Sequence, residues 1–364
     1  MANILSQDAA SPSTELGRYR ILSSTAGVRV SPLCLGSLSM GSAWSSSLAS
    51  MGKEESFRLL DSFWDAGGNF VDTANNYQDE QSEQYIGEWM STRSNRDMMF
   101  IATKFTAPYR HWELGPGKTI NYSGNHKKSM FLSVEASLAK LQTRYIDLLI
   151  EELMDSLHIL VEQGKVLYLG ASDAPAWVVS AANTYARSHG KTPFSVYQGE
   201  WSLIRRDFER EIIPMARYYG MALCPWGVLG GGKFQTKEQL EQRRKDGENL
   251  RTLFGAGQSD SARKASEVLE HVAKRHGVQS IQQIALAYVT HKTRNVFPIV
   301  GGSKIKHLME NIEALKICLT RQEIKELEAH ADFDIGFPMS YLGEDPHETG
   351  EMPPLLRPSG HIAW

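Results

Sequence analysis

Eight short apolar runs recur along the chain, each followed by a stretch whose apolar residues fall at helical spacing. Strands alternating with helices in this way specify a parallel α/β fold. The runs cover residues 33–36, 69–72, 99–103, 146–150, 167–170, 195–198, 221–225 and 296–300. Between them, Phe57, Leu60 and Trp64 share one helical face, as do Met130, Val134, Leu138 and Leu141, and then Met154, Leu157 and Val161. Eight strands in order, with no linker rich in Pro, Ser or Gly between them, predict one (β/α)8 barrel, a fold that fits a chain of 364 residues. Residues 19–30, with Ala26-Gly27 at the centre, predict a β-hairpin ahead of the barrel. The expected layout is a flexible N-terminus over 1–18, the barrel over 19–331 and an extended tail over 332–364. The tail carries Pro338, Pro346, Pro353, Pro354 and Pro358. Its Phe333, Phe337, Met339, Tyr341 and Leu342 are placed either to line a site mouth or to fasten it to the barrel wall. Residues 227–259 form a long, charged, glycine-containing connection after strand seven.

A formal net charge of −3 gives no basic field for nucleic acid or an anionic membrane. Cys34, Cys224 and Cys318 contain no CxxC pair, which argues against a disulfide framework or a zinc site. The first residues lack the basic and apolar blocks of a signal peptide, and no apolar run is of bilayer length. A cytoplasmic protein is the expectation.

Active sites of such barrels gather at the C-terminal ends of the strands. Asp72 ends strand two, Tyr77 follows in the next loop, and Lys104 ends strand three. A tyrosine donates a proton to a carbonyl well when a neighbouring ammonium lowers its pKa, and a carboxylate holds that ammonium in place. Any one of the three residues has an ordinary role as turn cap, packing group or solvated charge. Their joint placement at adjacent strand tops predicts catalysis, with Tyr77 brought down towards neutrality.

In these residues the chain resembles the aldo-keto reductases, whose barrel carries a tetrad of Asp, Tyr, Lys and His. The resemblance covers nearly the whole chain and implies an NADP(H)-dependent oxidoreductase. It implies that Ser172, Asp173 and Gln198 hold the nicotinamide carboxamide, with Asp72 beside them, and that Trp201 stacks on the nicotinamide ring. The run Gly227, Val228, Leu229, Gly230, Gly231, Gly232 and Lys233 resembles the family's pyrophosphate loop, where glycine lets amides approach a phosphate. Gly302, Ser303, Lys304, His307, Glu310 and Asn311 end strand eight and open a helix, the family's adenosine 2′-phosphate site. A cation there favours NADP(H) over NAD(H). No GxGxxG follows an early strand, so a Rossmann cofactor domain is not expected.

Residues 28–36, 121–126, 192–199 and 341–346 are most similar to the fungal aryl-alcohol dehydrogenases and norsolorinic acid reductase-like members. That branch implies a small aromatic carbonyl or alcohol substrate. It is a benzaldehyde-like compound in the simpler role, or a polyketide side-chain ketone in mycotoxin assembly.

Strand four departs from the family. There the family has a histidine and a loop before the helix, whereas here residues 145–150 run straight into 151–157. About a dozen family residues are missing, where even a short βα connection takes ~2–6. The tetrad's histidine goes with them, a donor worth roughly 3–4 kcal/mol to a transition state. With the helix read over 151–162, either its first turn unwinds or strand four stops short of the barrel top. His111, His126 and His158 are not expected to substitute. The gap leaves a second reading, an NADP(H)-binding protein with little or no turnover.

Overall fold

The computed structural model describes residues 10–46, 50–150, 154–245, 258–278, 280–343, 345–346 and 350–360. Strands β1 (Arg20–Ser23) and β2 (Ala26–Val30) pair antiparallel as the expected hairpin. Eight parallel strands follow: β3 (Cys34–Gly36), β4 (Phe70–Asp72), β5 (Phe100–Lys104), β6 (Ile146–Ile150), β7 (Val166–Ser172), β8 (Phe194–Glu200), β9 (Ala222–Trp226) and β10 (Ile299–Val300). Each pairs with its neighbour in sequence, β10 pairs with β3, and a bridge between Leu223 and Val296 joins the β9 and β10 ends. The result is the (β/α)8 barrel.

The helices are α1 (Lys53–Asp65), α2 (Gln81–Arg93), α3 (His111–Leu114), α4 (Lys127–Lys140), α5 (Met154–Glu162), α6 (Ala176–Ser188), α7 (Ile212–Tyr219), α8 (Lys237–Lys245), α9 (Asp260–Arg275), α10 (Ile281–Lys292), α11 (Ile305–Glu313), α12 (Arg321–Glu328) and α13 (Met339–Leu342). On α4 the expected stripe is the inner face, with Met130, Val134 and Leu141 buried and Leu138 packed beside them. On α1 the stripe is rotated. Leu59, Leu60 and Phe63 are buried, while Phe57 and Trp64 are partly exposed, because Phe63 rather than Trp64 points at the sheet. Residues 227–259 hold the helix α8, and 246–257 lie outside the described residues.

Successive side chains in a strand alternate between faces, so every second residue enters the barrel. Phe70, Phe100, Ala102, Leu148, Ile150, Val196, Ala222 and Cys224 fill the interior, and Leu22, Ala26 and Val30 of the hairpin join them at the bottom. The complementary residues, such as Val71, Ile101 and Leu149, pack under the helices.

Of the two outcomes foreseen for strand four, shortening of the strand does not occur. Ile150 pairs with both Lys104 and Gly170, at the level of the other strand tops. The helix is described over Met154–Glu162, and residues 151–153, with which the sequence reading began it, lie outside the described residues. In the tail, Phe333 lies 4.5 Å and 4.7 Å from the Arg206 and Arg210 guanidiniums. Arg210 donates to the Asp334 carbonyl, and Arg217 of α7 pairs with Asp345 at 2.5 Å.

Candidate active site

The strand register decides which polar groups meet. Asp72 lies opposite Ala102, so Asp72 and Lys104, two residues further along β5, both enter the barrel at its top. Lys104 Nζ donates to both Asp72 carboxylate oxygens at 2.7 Å and to the Thr73 carbonyl at 2.8 Å. Gln198, two positions beyond Val196 on the same face of β8, donates from Nε2 to Asp72 Oδ1 at 2.9 Å. The Tyr77 hydroxyl stands 3.5 Å from Lys104 Nζ. The three sequence-predicted catalytic residues are therefore brought together, with Gln198 as a further support.

Burial pulls the Lys104 ammonium down, but Asp72 and Tyr77 outweigh it, leaving the group above the ordinary lysine value. Tyr77 behaves differently from expectation. Burial pushes its phenol up and Lys104 pulls it down, with Asp72 and Asp173 adding to the upward side. The outcome is a raised pKa, not one lowered towards neutrality. The Asp72 carboxylate cancels much of the ammonium's field at the phenol, and desolvation of the phenolate goes uncompensated.

The loop holding Tyr77 is itself constrained. Gln78, Asp79 and Glu80 have φ of 52°, 52° and 78°, in the left-handed region that costs non-glycine residues ~1–2 kcal/mol each. Each is held by its side chain. Gln78 donates to the Leu38 carbonyl and accepts from Trp44 N, both at 2.9 Å. Asp79 accepts from Trp44 Nε1 at 2.9 Å, and Glu80 accepts from Trp112 Nε1 at 3.0 Å. Trp44 presents its ring edge-on to Tyr77, 6.5 Å between centroids, and gives the site an aromatic wall.

At strand four the residue entering the barrel top is Ile150, fully buried and apolar. Of the three histidines considered, His126 caps α4 by accepting from Ser129 N, and His158 bonds Thr192 at 3.1 Å. His111 is about half exposed, with Nε2 3.8 Å from Asp79.

Among the cofactor candidates, Ser172 Oγ donates to Asp173 Oδ2 at 3.0 Å at the end of β7, and the Asp173 amide bonds the Gln198 carbonyl. Trp201 is not where the nicotinamide reading needs it. It is fully buried, stacked on Phe208 at 5.6 Å, and its Nε1 donates to Glu209 Oε1 at 3.2 Å. The aromatic at the barrel top is Trp226, which follows Ala222 and Cys224 at alternate positions of β9. It is partly exposed, and its Nε1 donates to Asp173 Oδ1 at 3.2 Å. The two-residue alternation was the available signal. It puts the end of β9, not the turn after β8, over the interior.

Gly227, Gly230, Gly231 and Gly232 have φ of 70°, 66°, 62° and 87°, so the turn after β9 needs their freedom. Its amides at Gly230, Gly232 and Lys233 bond within the turn, and Val228 is buried while Leu229 packs on the core. After β10, Gly302 has open space where a Cβ would point, and Ser303, Lys304 and His307 are exposed at the start of α11. Lys304, Gly302, Leu308 and the buried Asn311 line one cleft, and Glu310 is 3.8 Å from Lys306. A helix N-terminus beside a lysine is a setting that favours an anion. Among the described residues, no group of three or more His, Cys, Asp or Glu is arranged to hold a metal, and no helix is long and apolar enough to cross a membrane.

The barrel brings a carboxylate, a lysine and a tyrosine together at its top, and a cleft lies at the start of α11. A model of the aldo/keto reductase family matches residues 32–332. The chain belongs to that family. It is 54% identical over 366 residues to the aldo-keto reductase ausK of Aspergillus calidoustus, spanning 98% of this chain and 92% of that protein. It is 50% identical over 353 residues to aryl-alcohol dehydrogenase [NADP(+)] of Phanerodontia chrysosporium, spanning 92% and 91%. Norsolorinic acid reductase of Aspergillus flavus is 49% identical over 352 residues, spanning 94% and 88%. As a member of that family the chain is an NADP-dependent oxidoreductase, and its relatives include proteins named aryl-alcohol dehydrogenase and norsolorinic acid reductase.

Proposed function

We propose that this aldo/keto reductase uses NADPH to reduce an aromatic aldehyde or ketone, with Tyr77 giving the proton to the carbonyl oxygen. The observation that carries the reading is the Asp72–Lys104–Tyr77 group, closed by hydrogen bonds at the top of β4 and β5. NADPH, when bound, supplies the hydride, and the carbonyl with one hydride and one proton becomes the alcohol. Ser172 and Asp173, which hydrogen-bond each other, are assigned to the carboxamide, and Trp226, bonded to Asp173, is assigned to the nicotinamide ring. The glycine turn with Lys233 is assigned to the pyrophosphate. Gly302, Ser303, Lys304, His307, Glu310 and Asn311 are assigned to the 2′-phosphate end. The relative named as NADP(+)-linked supports that choice. Trp44 walls the side of Tyr77 on which an aryl group would lie.

Finer assignments belong to the same proposal. The relative named norsolorinic acid reductase supports an aryl ketone of polyketide type, in mycotoxin biosynthesis, as one substrate. A cytoplasmic location is in keeping with the three free cysteines among the described residues. The division into a flexible N-terminus over 1–18, a barrel over 19–331 and a tail over 332–364 belongs to the same proposal.

One observation favours a second reading. The buried, apolar Ile150 offers no polar donor to a substrate carbonyl at the top of β6, and on this reading the protein binds NADP(H) with little or no turnover. NADPH oxidation with an activated aryl aldehyde separates the two. Turnover that Tyr77→Phe lowers by about 10²-fold or more supports the first reading. Full activity in Tyr77→Phe overturns it. No wild-type turnover, in protein that still quenches on binding NADPH, establishes the second. In either case Lys304→Ala narrows the preference for NADPH over NADH if Lys304 holds the 2′-phosphate.

A further inference from the structure

A second buried ionic cluster lies directly behind the catalytic loop. Its centre is Lys140, the last residue of α4, with a side chain only 10% exposed. A lysine at a helix C-terminus ordinarily faces solvent, where its charge suits the helix dipole. Here Nζ turns inward. It donates to the Asn75 carbonyl at 3.0 Å and to Glu80 Oε1 at 3.0 Å, and it pairs with Glu83 Oε2 at 2.8 Å.

The position of those partners is what matters. Asn75 lies two residues before Tyr77 and Glu80 three residues after it, so one ammonium ties down both sides of the proton donor. Glu83, fully buried on α2, accepts from Thr103 Oγ1 at 2.6 Å through its other oxygen. Thr103 is the strand residue next to Lys104, and the Asn75 amide also bonds the Lys104 carbonyl at 3.1 Å. The cluster therefore links the loop bearing the phenol to the strand bearing the ammonium.

The reach of Lys140 depends on close helix packing. A Cβ at Gly87 of α2 would lie 2.1 Å from the Lys140 carbonyl oxygen and 2.7 Å from the Leu141 main chain. Only glycine permits that approach, which brings the end of α4 over α2. The Tyr109 ring closes the cluster, 5.3 Å from Nζ.

We propose that Lys140 is a positioning residue for the reaction. By clamping Asn75 and Glu80 around the left-handed run after Tyr77, and Glu83 against Thr103, it sets where the Tyr77 hydroxyl stands relative to Lys104 and the substrate. Lys140 touches neither substrate nor cofactor, so its removal acts on kcat and not on binding. The proposal rests on Tyr77 as the proton donor.

The test uses the full chain with Lys140→Met and with Lys140→Met/Glu83→Gln. The double variant removes one positive and one negative charge, so only Glu80 loses its ammonium, where the single variant strands both Glu80 and Glu83. The expected result for the folded variant is a kcat at least about tenfold lower with unchanged aldehyde KM and NADPH affinity, since misplacement by ~1 Å costs up to ~10²-fold. Hydrogen exchange of the peptide spanning residues 73–80 rises, and the 13Cζ resonance of Tyr77, assigned with Tyr77→Phe, moves. The resonance and exchange readouts need no turnover. Unchanged kcat in the double variant overturns the proposal, and so does an unmoved Tyr77 resonance with wild-type exchange. Wild-type activity in Tyr77→Phe, by contrast, defeats the proton-donor reading while leaving the loop measurements to judge Lys140.

Discussion

Replacing Lys104 with methionine should cost far more stability than replacing both members of its pair. The Lys104 and Asp72 side chains are 14% and 5% exposed, and three hydrogen bonds fix the carboxylate between Lys104 and Gln198. Lys104→Met leaves a nearly buried charge facing only the Gln198 amide. Breaking a buried pair on one side costs ~3–5 kcal/mol, and the residual exposure of Lys104 points to the lower end, about 3 kcal/mol. Adding Asp72→Asn removes the stranded charge, so the double variant should return to within about 1 kcal/mol of wild type. The penalty of the single variant should also shrink on acidification, because an unpaired buried carboxylate takes up a proton more readily folded than unfolded. In the wild type the sign is opposite in location. The raised Lys104 value contributes stability that is complete below the unfolded lysine pKa, ~10.4, and is lost only as pH rises through the folded value. Urea unfolding of the wild type, Lys104→Met, Asp72→Asn and the double variant measures all of this, with activity recorded in parallel. Lys104→Met and the double variant should both be close to inactive although the double variant is nearly as stable as wild type. A double variant as unstable as the sum of the singles would refute the charge-pair account.

Two further predictions separate roles that sequence alone ran together. Trp226→Ala should weaken NADPH binding by about 2- to 10-fold, the scale of one aromatic stack at ~0.5–1.5 kcal/mol, whereas Trp201→Ala should destabilise the fold by ~3–5 kcal/mol through loss of its packing on Phe208. Fluorescence titration and urea unfolding give the two numbers, and a stability loss confined to Trp226→Ala would reverse the assignment. For pH, burial holds the Tyr77 phenol above its ordinary value of ~10, so it stays protonated through the neutral range. Carbonyl reduction should show a kcat level between about pH 6 and 9, while alcohol oxidation, which needs the phenolate, should climb across that window. A falling limb near pH 7–8 in the reduction direction, lost in Tyr77→Phe, would show that bound cofactor reverses the balance at the phenol.

What could be read from sequence followed from periodicity. Asp72, Lys104 and Gln198 fall at alternate positions of apolar strands, and a two-residue period is a local property, so their convergence at the barrel top was legible. Trp226 obeys the same period, whereas the assignment to Trp201 follows from the family resemblance and not from the period. The direction of the Tyr77 shift could not be read. It is a contest between desolvation and two opposite charges at fixed distances, and a one-letter code holds none of those distances. Lys140 was hidden for a related reason. In sequence it is an ordinary basic residue closing an amphipathic helix, and nothing within α4 distinguishes it from a solvated one. Its role appears only when Gly87, in a different helix, lets the end of α4 come close enough for the ammonium to turn in. The catalytic group and the cluster behind it are thus encoded unequally: the first by the period of single strands, the second by one missing Cβ between two helices.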